Sequence, residues 1–357
     1  MSRFLSKRFA AIEPYVPGEQ PRERKYIKLN TNESPFPPSP QVVAAINEKE
    51  LNKLQIYPDP EASLLTEAIA TFYGVEKNQI FVGNGSDEIL AFSFMAFCDQ
   101  EKKACFPDIT YGFYQVYADL LSVEALQVPL KEDLTIDIAD YLNCGHNIFI
   151  ANPNAPTGIC LSLEQIETIL KTNPDQLVFI DEAYIDFGSQ SCLPLLPHYD
   201  NLLICGTFSK SRSLAGARIG FAIASPQIIE DLNKIKFSFN PYNLNRLSIL
   251  AGAAAMADKN YFEDCRRQIM ENRQKTIAGL KSLGFEMTDS CANFIFVKHE
   301  RLSGEDYYLG LKQKGVLVRH FKKPRISDYV RITIGSIQEM EELVRQTAAI
   351  LDEGGLR

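Results

Sequence analysis

From about residue 60 the chain alternates short apolar runs with stretches of helical period, and this rhythm restricts its possible folds more than any other feature. EASLLTEAIATFYG reads as an amphipathic helix, QIFVG as a strand and SDEILAFSFMAFC as a helix. KACF, a helix from about Tyr111 to Leu121, and EALQVPL come next. The strands NIFIAN, LVFID and LLICGTF follow, the first two separated by the helical pattern SLEQIETILK. Strands this uniformly apolar are buried on both faces, and their alternation with helices predicts a mostly parallel sheet covered on both sides. One connection differs. Between LLICGTF and GFAIAS there are too few residues for a crossover helix, so this pair is expected to be antiparallel.

After residue 260 the character changes to a smaller α+β pattern. YFEDCRRQIMENRQKTIAGLKSLG reads as one long helix bridging two units, NFIFVK, GVLVRHF and YVRITIG as strands, and SIQEMEELVRQTAAILDEG as a closing helix. The first 40 residues, rich in proline and asparagine, read as an extended arm, because the prolines of KLNTNESPFPPSP remove donors and push their neighbours to extended backbone. The expected division is an arm or small-domain segment over 1–35, a large domain over 36–260 and a small C-terminal domain over 261–357.

Composition removes several function classes. A net charge of −8 without a basic run argues against a nucleic-acid partner. No apolar stretch approaches the roughly 20 residues of a membrane helix. The opening MSRFLSKRFAAIEPYVPGEQ has no long apolar core and no clear cleavage site, and reads as mature sequence. The eight cysteines form no CxxC pair and the four histidines show no ligand spacing, so the expectation is reduced thiols in a cytoplasmic protein and no metal site.

Chemistry concentrates where apolar runs end. NIFIA leads into Asn152 and Asn154, LVFI into Asp181 and Tyr184, and LLICGTF into Ser209 and Lys210. In open α/β sheets ligands bind beyond the carboxyl ends of strands. QIFV leads into GNGSDE, where the glycines permit a tight turn, Ser86 or Asp87 is placed to cap a helix, and free N–H groups suit a phosphate. It is neither a dinucleotide fingerprint nor a P-loop, lacking the third glycine and the lysine. A phosphate cradle, a lysine and a strand-end carboxylate together suit pyridoxal phosphate, which needs a lysine for its Schiff base and an acid for its ring nitrogen. Arg218, eight residues after the lysine, suits the phosphate.

These pieces resemble the fold-type I, class I/II aminotransferases. The match runs through PYVPG, KLNTNESPFPPSP, YPDP, GNGSDE, TYGFY, NPNAPTG, DEAYIDF, FSKSRSLAGARIGF, NPYN, GVLVR and VRITIG, nearly the whole chain. PYVPG with LNTNES, and the closing VRITIG, point to the histidinol-phosphate branch of that family. The resemblance implies a homodimeric, pyridoxal-phosphate-dependent enzyme exchanging an amino group between L-histidinol phosphate and 2-oxoglutarate. It makes Lys210 the Schiff-base lysine, Asp181 the ring-nitrogen partner, Tyr184 the ring-hydroxyl partner and Tyr111 the residue stacked on the ring. Gly85, Ser86, Asp87, Ser209 and Arg218 hold the cofactor phosphate, and Tyr57 reaches it from the other subunit. Arg319 and Arg331 bind the anionic groups of the substrates, with Tyr15, Asn32 and Asn243 nearby.

One position departs from the family pattern. Relatives often have asparagine directly before the proline of PTG, bonding the ring hydroxyl, and here that residue is Ala155. Asn154 or Asn152 is left to take over. Three rival readings share the scaffold: an aromatic amino-acid aminotransferase, a threonine-phosphate decarboxylase, and a non-enzymatic pyridoxal-phosphate sensor module.

Overall fold

The strands follow one another as β1 (Ile27–Lys28), β2 (Ile80–Gly83), β3 (Ala104–Pro107), β4 (Ala125–Val128), β5 (Asn147–Ala151), β6 (Val178–Asp181), β7 (Leu202–Thr207) and β8 (Gly220–Ala224), then β9 (Phe285–Met287), β10 (Phe294–His299), β11 (Val316–Leu317), β12 (Arg319–His320) and β13 (Val330–Thr333). This computed structural model describes residues 2–10, 12–21 and 23–355, so the outermost ends of the expected 1–35 and 261–357 segments lie outside the described residues.

Seven strands make one sheet in the order β2-β8-β7-β6-β5-β3-β4. β8 alone runs against its neighbours β2 and β7, as the short LLICGTF–GFAIAS link requires, and the other pairings are parallel. Successive side chains of a strand face opposite ways, and the core divides accordingly. Ile148, Ile150, Val178, Ile180, Leu202 and Ile204 face one buried cluster. Phe149, Phe179, Leu203 and Cys205 face the other. The helices Ser63–Tyr73, Leu163–Thr172 and Arg246–Ala257 cover the first face through residues such as Leu65, Ile169 and Ile249. Ser86–Phe97, Phe113–Leu121 and Pro226–Phe239 cover the second through Ile89, Tyr114 and Leu232. Burial of each large side chain contributes roughly 1.5–3 kcal/mol, and both faces are filled this way.

A second sheet, β12-β13-β10-β9, is antiparallel throughout. The helices Lys259–Ser282, Gly304–Gln313 and Ile337–Glu353 pack on it through Ile269, Leu280, Leu311, Leu343 and Leu351. GVLVRHF was expected as one strand and is two. Val316–Leu317 pairs in parallel with β1 of the arm, and Arg319–His320 pairs with β13, so the segment changes partner at Val318. The arm is thereby joined to the second sheet. Leu29 accepts a backbone bond from Thr333, and Asn32 is held by Thr333 and Asn293.

The antiparallel entry of β8 brings Gly220 against the turn before helix Ser86–Phe97. A Cβ on Gly220 would lie 2.4 Å from the Gly85 carbonyl carbon and from the Ser86 nitrogen. Neither backbone atom can rotate away. Gly220→Ala is therefore expected to cost about 1–3 kcal/mol or more, measured by urea denaturation, and to displace the Gly85–Ser86 turn.

Candidate active site

The carboxyl ends of β5, β6 and β7 open into a cavity of about 620 Å³ that the second sheet and the arm close from the other side. Asp181, the last residue of β6, lines it and is 7% exposed. Its Oδ1 accepts from the Ala183 N–H at 3.0 Å. Burial raises the carboxyl to about 6, with the Lys210 charge and the Ala183 N–H only partly offsetting the loss of water. Lys210 lies three residues beyond β7, with Nζ 3.3 Å from the Thr31 carbonyl oxygen and 5.6 Å from the centre of the Tyr184 ring. The Tyr184 hydroxyl accepts from the Asn32 amide at 3.0 Å.

The turn at Gly83–Gly85 forms an anion cradle. Gly85 takes φ 85° as the residue before the helix, and a Cβ there would come 2.5 Å from the Arg218 guanidinium. The expectation that Ser86 or Asp87 caps this helix is corrected, since no side chain caps it. The Asp87 carboxylate is engaged elsewhere, by Arg218 Nη2 at 2.9 Å and by the Tyr111 hydroxyl at 2.7 Å. Among the described residues the first N–H groups of the helix have no side-chain cap, which suits an anion. Ser209, held through Thr207, lines the same end.

The second sheet contributes cations. Arg319 and Arg331 are direct cross-strand partners on β12 and β13. Like charges opposite one another destabilise a sheet, and only part of their hydrogen-bonding capacity is met. Arg319 donates to the Val16 and Pro17 carbonyls and Arg331 to that of Asn30, while Arg331 Nε is buried with no partner among the described residues. Burial lowers the Arg331 pKa, the mark of a charge without a matching anion. Tyr15 stacks on Phe113 with centroids 4.4 Å apart, and its hydroxyl is raised in pKa by burial beside these arginines.

Not every expected residue reaches the cavity. Asn154 is buried and spent: its amide donates to the Ile109 carbonyl and the Thr157 hydroxyl, and its oxygen accepts from Thr110. Asn152 bonds both backbone groups of Leu161. Both are thus bonded within the protein, while Ala155 itself lines the cavity. Asn243 lies beneath the anion cradle, donating to Glu88 at 2.6 Å. Tyr57 is 75% exposed and stacks on Tyr242 outside the cavity. Conversely, Thr31, Glu33, Thr110, Phe321 and Lys323 line the cavity without having been singled out. For Thr31 and Glu33 the signal was present in LNTNES, whereas nothing in KKPR marks Lys323.

Comparison with known proteins bears on this geometry. Residues 24–346 match the family described as aminotransferase class I and II. The chain is 53% identical to histidinol-phosphate aminotransferase of Brachyspira hyodysenteriae, over 98% of this chain and 99% of that one. It is 50% identical to the Clostridium acetobutylicum enzyme of the same name, over 96% and 98%. Among solved structures, histidinol-phosphate aminotransferase from Sinorhizobium meliloti, in complex with pyridoxal-5'-phosphate, superposes with a TM-score of 0.89 at 22% identity, covering 99% of both chains. At that identity the likeness shows the fold.

Glu182, next to Asp181, adds a second buried acid. It accepts from the Cys192 N–H at 2.6 Å and the Ser191 hydroxyl at 2.7 Å, and burial holds it up at about 7. A carboxyl raised in the folded state disfavours folding as it ionises, so this cost grows from about pH 4.5 to about pH 7 and is level above. Glu182→Gln has no proton to lose. The variant is expected to gain stability over the parent as pH rises through that window, on the order of 3 kcal/mol at pH 8, with little difference at pH 4.5. Urea denaturation of the cofactor-free proteins at the two pH values measures it.

Proposed function

The chain belongs to the class I and II aminotransferases, and within that family we propose that it transfers an amino group between L-histidinol phosphate and 2-oxoglutarate, in histidine biosynthesis. The observation that carries this reading is the opposed pair Arg319 and Arg331, held over the same cavity as Lys210 and Asp181. Both substrates are anions, one bearing a phosphate and the other two carboxylates. A fork of two guanidiniums with unused donors serves either.

The residues present fit pyridoxal 5'-phosphate. The uncapped helix start, the Gly85 turn and Arg218 form a phosphate cradle, and the buried Asp181 carboxyl awaits a cation such as a protonated ring nitrogen. When bound, this cofactor supplies a sink for the electron pair left as a Cα proton departs. Asp181 would hold the ring nitrogen in its protonated form, Tyr184 would bond the ring hydroxyl and Tyr111 would pack against the ring. Gly85, Ser86, Asp87, Ser209 and Arg218 hold the phosphate. Asn32 steadies the Tyr184 hydroxyl. Lys210, tethered to the Thr31 carbonyl, takes the proton at the substrate Cα and returns it at the far end of the transfer. Tyr15 and the two arginines fix the phosphate of histidinol phosphate, then the carboxylates of glutamate.

The same reading makes the protein a cytoplasmic homodimer. Val43, Ile46, Leu51, Leu54 and Ile56 are exposed close in sequence to Tyr57, and Phe239 is exposed near its stacking partner Tyr242. A second copy covers this apolar surface and receives Tyr57 at its cofactor phosphate. No helix among the described residues is long and apolar enough to cross a membrane. Residues 36–260 form the cofactor-binding domain, and 261–357 with the 1–35 arm form the substrate-closing part.

The first test is an absorbance spectrum with and without L-histidinol phosphate. A yellow cofactor band that bleaches with the amine and returns with 2-oxoglutarate is expected. A band unchanged by histidinol phosphate but bleached by aromatic amino acids, or by threonine phosphate with loss of carbon dioxide, moves the assignment to those rivals. A band that no amine bleaches leaves a sensor module. Lys210→Ala is expected to bind cofactor and lose at least about 10³-fold in kcat. Tyr57→Phe is expected to weaken cofactor binding about tenfold, one charge-assisted bond, without lowering kcat at saturation. Cofactor affinity of the wild type is expected to fall as pH drops through about 6, because protonated Asp181 cannot pair with the ring nitrogen. Titration of cofactor-free protein at pH 5 and 7.5 reads this directly.

A further inference from the structure

Histidinol phosphate offers three groups to a site: an amine, a phosphate and an imidazole. On the proposed function, on which this inference rests, the cofactor site beside Lys210 takes the first and the arginine pair the second. The imidazole N–H is a donor and needs an acceptor. Three carboxylates line the cavity. Asp87 is engaged on both oxygens, by Arg218 and Tyr111. Asp181 is buried at the end of β6, in the place assigned to the cofactor ring.

Glu33 is different. Its Oε2 is fixed by Lys28 Nζ at 2.5 Å and by the Thr31 hydroxyl at 2.9 Å, whereas Oε1 has no partner among the described residues. The side chain keeps 43% of its exposure, the residue lines the cavity, and Oε1 is not among the buried unpartnered atoms. Partial burial pulls its pKa upward, but the bonds from Lys28 and Thr31 outweigh this and leave the carboxyl lowered. It is an ionised acceptor already locked in place, one residue beyond the Asn32 that holds Tyr184 and two beyond the Thr31 carbonyl that holds Lys210. The binding cost of ordering a long acidic side chain is thereby reduced in advance.

We propose that Glu33 determines specificity for the imidazole, its free Oε1 accepting the ring N–H while Oε2 stays anchored to Lys28 and Thr31. Glutamate has no such donor and gains nothing from Glu33, so the residue acts on one half of the reaction only. A site built to satisfy a substrate N–H rejects the analogue lacking it.

The experiment compares three amines in the two half-reactions: histidinol phosphate, phenylalaninol phosphate (same amine and phosphate, no ring N–H) and glutamate. Glu33→Gln is expected to lower kcat/KM for histidinol phosphate about ten- to a hundredfold, the range for a bond to a charged group. The other two amines are expected to stay within about twofold. Lys28→Met loosens the same turn but keeps the carboxylate, and is expected to retain the preference for histidinol phosphate over phenylalaninol phosphate. Equal losses on all three amines in Glu33→Gln, no loss on histidinol phosphate, or full loss of preference in Lys28→Met overturns the proposal. A wild-type protein inactive toward histidinol phosphate overturns the substrate assignment and this inference with it. An unselective Glu33→Gln in an active enzyme overturns the inference alone.

Discussion

A sheet buried on both faces has no place for a charged group except beyond the ends of its strands. Apart from Asn147 at its start, β5 is apolar, and β6 and β7 stay so until Asp181 and Thr207 at their carboxyl ends; isoleucine, leucine and phenylalanine fill both sides. The chemistry therefore collects at one rim. Parallel neighbours bring their carboxyl ends together there, and the antiparallel β8 adds Arg218 and the tight contact with the Gly85 turn. The same burial that builds the core leaves the neighbouring carboxyls of Asp181 and Glu182 raised in pKa.

The opposite wall is made differently. A directly opposed arginine pair costs a sheet on the order of 0.2–1 kcal/mol, and here backbone carbonyls of Val16, Pro17 and Asn30 take some of the guanidinium donors. Those carbonyls belong to the arm. The arm also supplies the Thr31 carbonyl for Lys210 and the Asn32 amide for Tyr184. An irregular, proline-rich stretch thus helps to set the positions of Lys210 and Tyr184, fixed through β1 and β11 to the second sheet.

What the sequence made readable follows from period and length. The long two-sided apolar runs and the strongly amphipathic Leu163–Thr172 and Ile337–Glu353 helices are where expectation and structure agree closely. The single antiparallel strand was readable because a short link forbids a crossover. The pairing of Ile27–Lys28 with Val316–Leu317 was not, since a two-residue strand has no period. Helix Arg246–Ala257 is apolar almost all round and shows no stripe. An amide beside a strand end looks the same whether it faces a ligand or ties a loop, and the three protein partners of Asn154 were not legible in the sequence. Glu33 was visible as a letter in LNTNES, but its unequal oxygens arise from Lys28 and Thr31 in the folded chain.

The bond from the Asn32 N–H to the Thr333 hydroxyl spans 301 positions along the chain. Its neighbour Arg331 bonds the Asn30 carbonyl over the same separation. A ribosome delivers the arm first and β13 nearly last, so the seven-stranded sheet can form while the arm still has nothing to pair with. Contacts of such range close late. A chain cut short before β13 accordingly keeps every strand of the large sheet but lacks the partners Arg331 and Thr333 that tie the arm to the second sheet.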